Sequence, residues 1–345
     1  MEDNMITTNN STDLLDEMMA ETDSAIMLEE TSKEFKKNCS RKVGVGLLLY
    51  TLVSFAVTAA VALAYIAVQG IQGKLDSLSG DVDPSLEGWS MLIAVILGII
   101  FLFVYSQKFI TPKQVLKKQN KITPKAILGA TALFLGMSFI YEFMMDGMEA
   151  LLNLGGYTMQ DSIDTANLNM EMSLSLTLYA GIIGPIAEEL VYRGFVMKSL
   201  ERFGKVFSII TSALFFGIMH ANPAQIPYCA IGGLILGYIA SNYGIIWSIF
   251  IHIVNNLIFG VFVEDALDKF FGEKVGEYVE MGMLFVFLVI GGYIVYLNRE
   301  KIGRFIKNNP AKNKKVYLWT FTTIPVIIFI VFNLILAVTA IEKIK

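Results

Sequence analysis

Nine apolar runs of 15–26 residues, separated by short polar stretches, fill most of the chain from residue 45 to residue 340. They cover about 45–69, 89–106, 126–146, 173–198, 206–220, 226–242, 244–263, 281–297 and 317–340. A helix needs about 20 apolar residues to cross a hydrocarbon core roughly 30 Å thick. The sequence therefore specifies an all-α, polytopic membrane helical bundle of eight to nine transmembrane helices. Charged residues make up only 17% of the 345, against about 25% in ordinary soluble domains, which excludes a cytosolic globule. Cys39 and Cys229, the two cysteines, form no disulfide framework of the secreted kind.

Residues 1–42 read as a polar, acidic cytoplasmic tail, with ten acids and five bases. Its apolar residues are too sparse to offset the entropy of ordering it. Residues 43–345 form the transmembrane domain. The amino terminus lacks the basic and apolar regions of a cleavable signal, so insertion falls to the first internal apolar run. Net charge is −5 in the tail and +1 in the remainder, a balance that offers nothing to nucleic acid. Lys and Arg cluster at 33–42, 107–125, 198–205 and 298–316, while 147–171 has no base and 264–280 is acidic. Positive charge marks cytoplasmic loops, so the alternation fits a cytoplasmic N-terminus and nine crossings. Lys343 and Lys345 at the far end dissent, and a model of eight crossings with one segment on the surface is the alternative. Thr123–Pro124 is a helix start, an N-cap hydroxyl followed by proline at the first helical position. Gly233 and Gly237 have the spacing of ordinary close helix packing.

Few ionisable side chains interrupt the apolar runs. They are Glu188, Glu189 and Arg193 in the fourth run, His220 at the end of the fifth and His252 in the seventh, with Glu142 and Asp146 at the outer, interfacial end of the third. A charge at the centre of a membrane helix costs about 2.5–3.5 kcal/mol even on the lenient insertion scale. Such groups pair with one another or face a water-filled cavity. Glu189 and Arg193 stand four residues apart on one helical face, placed for an ion pair, and Glu188 projects to another face. His252 and Asn256 share a stripe, as do Phe216 and His220. At 1.5 Å per residue these polar groups lie roughly 13–23 Å from the cytoplasmic end of their helices. Both histidines of the chain fall in that layer.

A carboxylate and an imidazole in a partly dry cavity can share a water and take its proton. A second imidazole and an amide can donate hydrogen bonds to a developing oxyanion. Together these groups compose a kit for hydrolysing an amide or ester at membrane depth. Glu188, His220 and His252 also have the ligand types of a catalytic zinc site, so zinc is an alternative cofactor to none. No H-E-x-x-H helix is present, which excludes the usual soluble metalloprotease.

The three motifs, E-E-x-x-x-R (Glu188, Glu189, Arg193), F-x-x-x-H (Phe216, His220) and H-x-x-x-N (His252, Asn256), occur in that order on separate apolar runs. Over residues 172–263 the chain resembles the CPBP family of intramembrane proteases, relatives of CAAX prenyl endopeptidases that include bacterial Abi and bacteriocin-immunity proteins. The resemblance implies an intramembrane endopeptidase with a cavity open to the cytosol, cutting a membrane-anchored protein or peptide substrate near its C-terminus, which can be CAAX-like. It implies that Glu188 with His220 activates the water and that His252 with Asn256 stabilises the oxyanion. Glu189 with Arg193 then supports the site. Members of the family are often called metalloproteases, but a glutamate-dependent mechanism without bound metal is the preferred reading. The resemblance also places the protein as a multi-pass protein of a bacterial plasma membrane. Two other classes compete. One is a non-catalytic immunity or binding protein of the Abi type. The other is a secondary transporter, disfavoured because no duplicated halves with broken helices are visible.

Overall fold

The structure is a computed structural model, which describes residues 3–72, 84–107, 110–117, 119–166 and 173–344. Lys108 and Lys118, within the basic 107–125 stretch used above for orientation, and residue 172, the expected start of the core, lie outside the described residues. The fold is almost wholly helical. Helix α1 (Asp3–Glu34) runs through a wide π-type turn at Phe35–Ser40 into α2 (Arg41–Ile71), and α3 (Pro84–Ser106) follows. The next is α4 (Pro124–Leu154), where Thr123 Oγ1 accepts the amide of Ala126 at 3.3 Å, the expected cap. Then come α5 (Leu174–Phe203), α6 (Lys205–Met219), α7 (Gln225–Tyr243), α8 (Ile245–Phe271) and α9 (Glu273–Leu297). A basic helix, α10 (Arg299–Asn308), precedes α11 (Lys315–Phe321) and α12 (Ile324–Thr339), which meet at a 66° bend.

Every one of the nine apolar runs is helical, but they differ as spans. Six helices of the described chain are long and apolar enough to cross a bilayer: the α1–α2 rod from Glu21, α3, α4, α5, α8 and α9. The bent α11–α12 pair makes a seventh if it is one span. Helix α6 has 15 residues, a rise of about 22 Å, short of the hydrocarbon thickness. The protein is an integral membrane protein, and among the described residues such helices number six, or seven with the bent pair.

The packed core reaches further toward the N-terminus than the tail reading implies. Phe35, Cys39 and Ser40 are buried, and the Phe35 ring meets Phe203 edge-on at 4.3 Å. Met18, Met19 and residues 21–30 are exposed. Phe35 supplies the apolar area that the acidic stretch before it lacks. Helices α6 and α7 form the tight hairpin at the centre. A Cβ on Gly233 would meet Cα of Ala213 at 2.9 Å, and one on Gly237 would meet the Ile209 side chain at 3.0 Å, so the small-residue spacing does serve close packing.

At the opposite end from the 110–125 segment, a two-residue strand β1 (Tyr157–Thr158) pairs antiparallel with β2 (Glu342–Lys343). Ile344 N also donates to Gly156 O at 2.9 Å. This pairing ties the C-terminal residues to the loop that follows α4.

Candidate active site

Helix α5 carries both glutamates, and its irregularity is readable from Pro185. A π-type turn at Tyr179–Ile183 precedes it, in which Gly184 N donates to Tyr179 O. In that register the next acceptor, Ala180 O, would take its proton from residue 185, and proline has none. The amide Nδ2 of Asn256 donates to Ala180 O instead, at 3.2 Å. The proline thus creates the acceptor that anchors the third motif to the first. Wide turns also run through the first and third motifs, at Leu190–Met197, which holds Arg193, and at Val254–Val263, which holds Asn256; such turns recur at functional sites.

Glu189 and Arg193 form the expected ion pair, with Arg193 Nη1 2.7 Å from Glu189 Oε1 and both side chains fully buried. Arg193 Nη2 donates to Gly233 O at 3.3 Å. The guanidinium carbon also lies 4.5 Å from the centre of the Phe216 ring, a cation–π contact. Phe216 is a hub. His220 meets its ring at 5.0 Å and His252 at 5.8 Å, both nearly perpendicular, so one aromatic ring sets the attitude of both imidazoles.

The pairings of acid and imidazole differ from those the resemblance implies. The imidazole beside Glu188 is that of His252, with Nε2 3.6 Å from Glu188 Oε2. Its Nδ1 lies 3.2 Å from Glu189 Oε1, so His252 spans the two adjacent carboxylates. His220 turns elsewhere: Nδ1 is 2.8 Å from the Phe216 carbonyl oxygen and Nε2 is 3.4 Å from Cys229 Sγ. The reason is geometric. His220 closes α6 as its C-cap residue, where its ring folds back on the carbonyl four residues earlier. The next residue, Ala221, takes a left-handed φ of 50°, a conformation that costs a non-glycine residue about 1–2 kcal/mol and is characteristic of functional turns.

Asn256 is not hydrogen-bonded to His252. It belongs to a second chain of polar groups that the motifs do not include. Asn255 Nδ2 donates to Asn256 Oδ1 at 3.0 Å, and the Tyr228 hydroxyl donates to Asn255 Oδ1 at 3.4 Å. Ser138 Oγ lies 3.0 Å from the Tyr228 hydroxyl. With its oxygen held by Asn255, the amide nitrogen of Asn256 faces the α5 turn. Asn255 was visible in the sequence as a second amide inside an apolar run, whereas Tyr228 and Cys229 read there as ordinary hydrophobic residues.

Glu188, His220 and His252 do not gather as a zinc set. Among the described residues no group of three His, Cys, Asp or Glu side chains is placed to hold a metal ion. Both nitrogens of His252 face carboxylates, and those of His220 face a carbonyl and a thiol.

Fold and site together define an integral membrane protein organised round a buried Glu–His–Glu cluster. Residues 170–258 match the family described as Rce1-like, type II CAAX prenyl endopeptidase. That match supports the resemblance to CPBP intramembrane proteases and indicates a protease at the level of the family. A protein of Mycoplasma capricolum subsp. capricolum, described only as uncharacterized, is 31% identical over 155 residues, which cover 41% of this chain and 44% of that protein. The chain thus spans less than half the length of this relative. No solved structure matches.

Proposed function

We propose that this protein is an intramembrane endopeptidase that hydrolyses a peptide bond of a membrane-associated substrate, with Glu188 as the base. The observation that carries this reading is the placement of His252 between Glu189 and Glu188. A carboxylate only accepts hydrogen bonds, so the contact with Glu189 puts the proton of a neutral His252 on Nδ1. Nε2 then presents a lone pair to Glu188 Oε2, another acceptor, across 3.6 Å. That is longer than a direct hydrogen bond, and a water beside the two can donate to both. The arrangement has the logic of a buried carboxylate orienting an imidazole that handles a proton.

In the reaction, Glu188 takes a proton from this water as its oxygen bonds to the scissile carbonyl carbon. The carbonyl π electrons move to oxygen, and the Nδ2 hydrogen of Asn256 that is not given to Ala180 O stabilises the oxyanion. When the intermediate collapses the C–N bond breaks, and the proton passes from Glu188 to the departing amine. The products are a carboxylic acid and an amine, and the acid's proton passes to the amine to leave a carboxylate and an ammonium. Glu189 and Arg193 hold His252, and Phe216 keeps both imidazoles upright. No step uses a metal. A substrate with a CAAX-like C-terminal end is the class the family suggests.

We also read the chain as nine crossings in a bacterial plasma membrane with a cytoplasmic N-terminus, with α6 and α7 as short spans of the central hairpin. The β1–β2 pairing supports the odd number, since it sets the C-terminus at the end of α4 remote from the basic 107–125 segment.

The test is cleavage of a membrane-anchored reporter peptide by the purified full chain. Glu188→Gln is expected to lower kcat at least 100-fold, in the range that general-base catalysis supplies, while expression and the unfolding midpoint stay unchanged. Full activity in Glu188→Gln would end the protease reading in favour of a binding role.

A further inference from the structure

Three basic stretches far apart in sequence, the end of the N-terminal segment, the loop before α4 and the α5–α6 junction, come together at one end of the bundle. There they surround a cavity of about 760 Å³ whose bases are Lys42, Lys117, Lys198, Arg202 and Lys205. Among the described lining residues Glu34 and Glu201 are the only carboxylates, so bases outnumber acids five to two. Both acids are already engaged: Glu201 with Lys198 at 2.8 Å, and Glu34 with Arg202 at 3.5 Å. Lys42, Lys198 and Lys205 are half-buried, which removes part of the water that would otherwise screen them from one another. Such a concentration of like charge around so small a space is stabilised by an anion in it.

The level of the cavity says what that anion is. Lys42 is the second residue of α2, Lys205 the first of α6, and Lys198 and Arg202 lie in the last turns of α5. Lys42 stands where the apolar stretch of the α1–α2 rod begins and the others stand at helix ends beside apolar spans, the level at which phospholipid headgroups lie. Gln114, Gln119 and Ser199 add hydrogen-bonding groups to the wall. Lysine binds phosphate as a point charge and arginine as a fork. Basic pockets of this kind between membrane helices take anionic headgroups. We propose that this cavity is a binding site for a phosphate-bearing anion, delivered as the headgroup of an anionic phospholipid. The inference does not depend on the protease reading, because no residue of the Glu–His–Glu cluster lines the cavity.

The test uses the full chain purified in neutral detergent, with its unfolding midpoint followed as lipid is added. Phosphatidylglycerol is expected to raise the midpoint by several degrees more than phosphatidylcholine does, and K117Q/K205Q is expected to lose at least half of that difference. R304Q/K307Q, on α10 outside the cavity, is expected to keep it. Soluble glycerol phosphate forms a separate arm: a response to it as well assigns the phosphate group alone, and a response to phosphatidylglycerol only assigns the intact lipid. Either supports the site. Should K117Q/K205Q fail to fold, K117R/K205R, which keeps the charge, is expected to respond as the unsubstituted chain does. Equal response to both lipids with none to glycerol phosphate, or an undiminished response in K117Q/K205Q, overturns the proposal.

Discussion

Nδ1 of His252 lies 3.2 Å from Oε1 of Glu189, a carboxylate with no solvent exposure that is already ion-paired to Arg193. One buried acid therefore fixes both a cation and an imidazole, while Glu188, its neighbour in sequence, keeps 17% of its side chain exposed. Two adjacent glutamates carry different work, and the division makes them separable by experiment.

Glu189→Ala leaves the Arg193 guanidinium buried without its counter-charge. Breaking a buried pair in this way costs about 3–5 kcal/mol, so the variant is expected to unfold at a clearly lower temperature in detergent. Glu188→Gln, by contrast, removes the proposed base without orphaning a charge and is expected to unfold like the unsubstituted protein. A matching loss of midpoint in both would contradict this division.

The Tyr228–Asn255–Asn256 chain predicts a kinetic signature. Asn256→Ala removes a donor to the oxyanion and is expected to lower kcat by 10²–10³-fold, the usual effect of losing one such group. Asn255→Ala leaves that donor in place but frees its orientation; a loss of about tenfold in kcat with KM unchanged is expected. Tyr228→Phe acts one bond further away and should fall between Asn255→Ala and the unsubstituted enzyme. A change confined to KM in these variants would assign the chain to substrate binding instead.

Much of the site was legible in sequence because lipid makes ionisable residues costly, and so few are present that their positions carry meaning. The Glu189–Arg193 pair followed from helical spacing alone. What spacing could not supply was the partner choice of each histidine. That choice depends on where α6 stops: His220 caps the helix and Ala221 turns left-handed, which directs the ring to Phe216 O and Cys229. Asn255 escaped notice because only Asn256 completes the motif, and the proline-dependent Ala180 acceptor depends on a wide turn that a regular periodicity does not reveal. In the fold, the nine apolar runs were readable as helix from their length, whereas α1, the basic α10 and the buried start at Phe35 were not, because their residues are charged or follow acidic ones.

The engagement of both histidines bears on metal dependence. His252 meets two carboxylates and His220 a carbonyl and a thiol, so neither is held ready as one corner of a shared zinc site. Cleavage is expected to persist after exhaustive treatment with a strong chelator. Loss of activity that returns on adding zinc would overturn the metal-free mechanism while leaving the assignment of a protease intact.

The paired strands make the topology testable by a single crosslink. Thr158 and Glu342 are directly opposite one another in the antiparallel pair, where the Cα atoms of facing residues are about 4.5–5.5 Å apart. That separation lies within the range a disulfide spans. T158C/E342C is therefore expected to crosslink under mild oxidation, and digestion between the two sites should leave the fragments joined. If the chain makes nine crossings from a cytoplasmic N-terminus, both positions face outward, and an oxidant that cannot pass the membrane forms the bond in intact cells. Crosslinking only after permeabilisation would place this end inside and contradict the orientation. Absence of a crosslink under either condition would contradict the strand pairing itself.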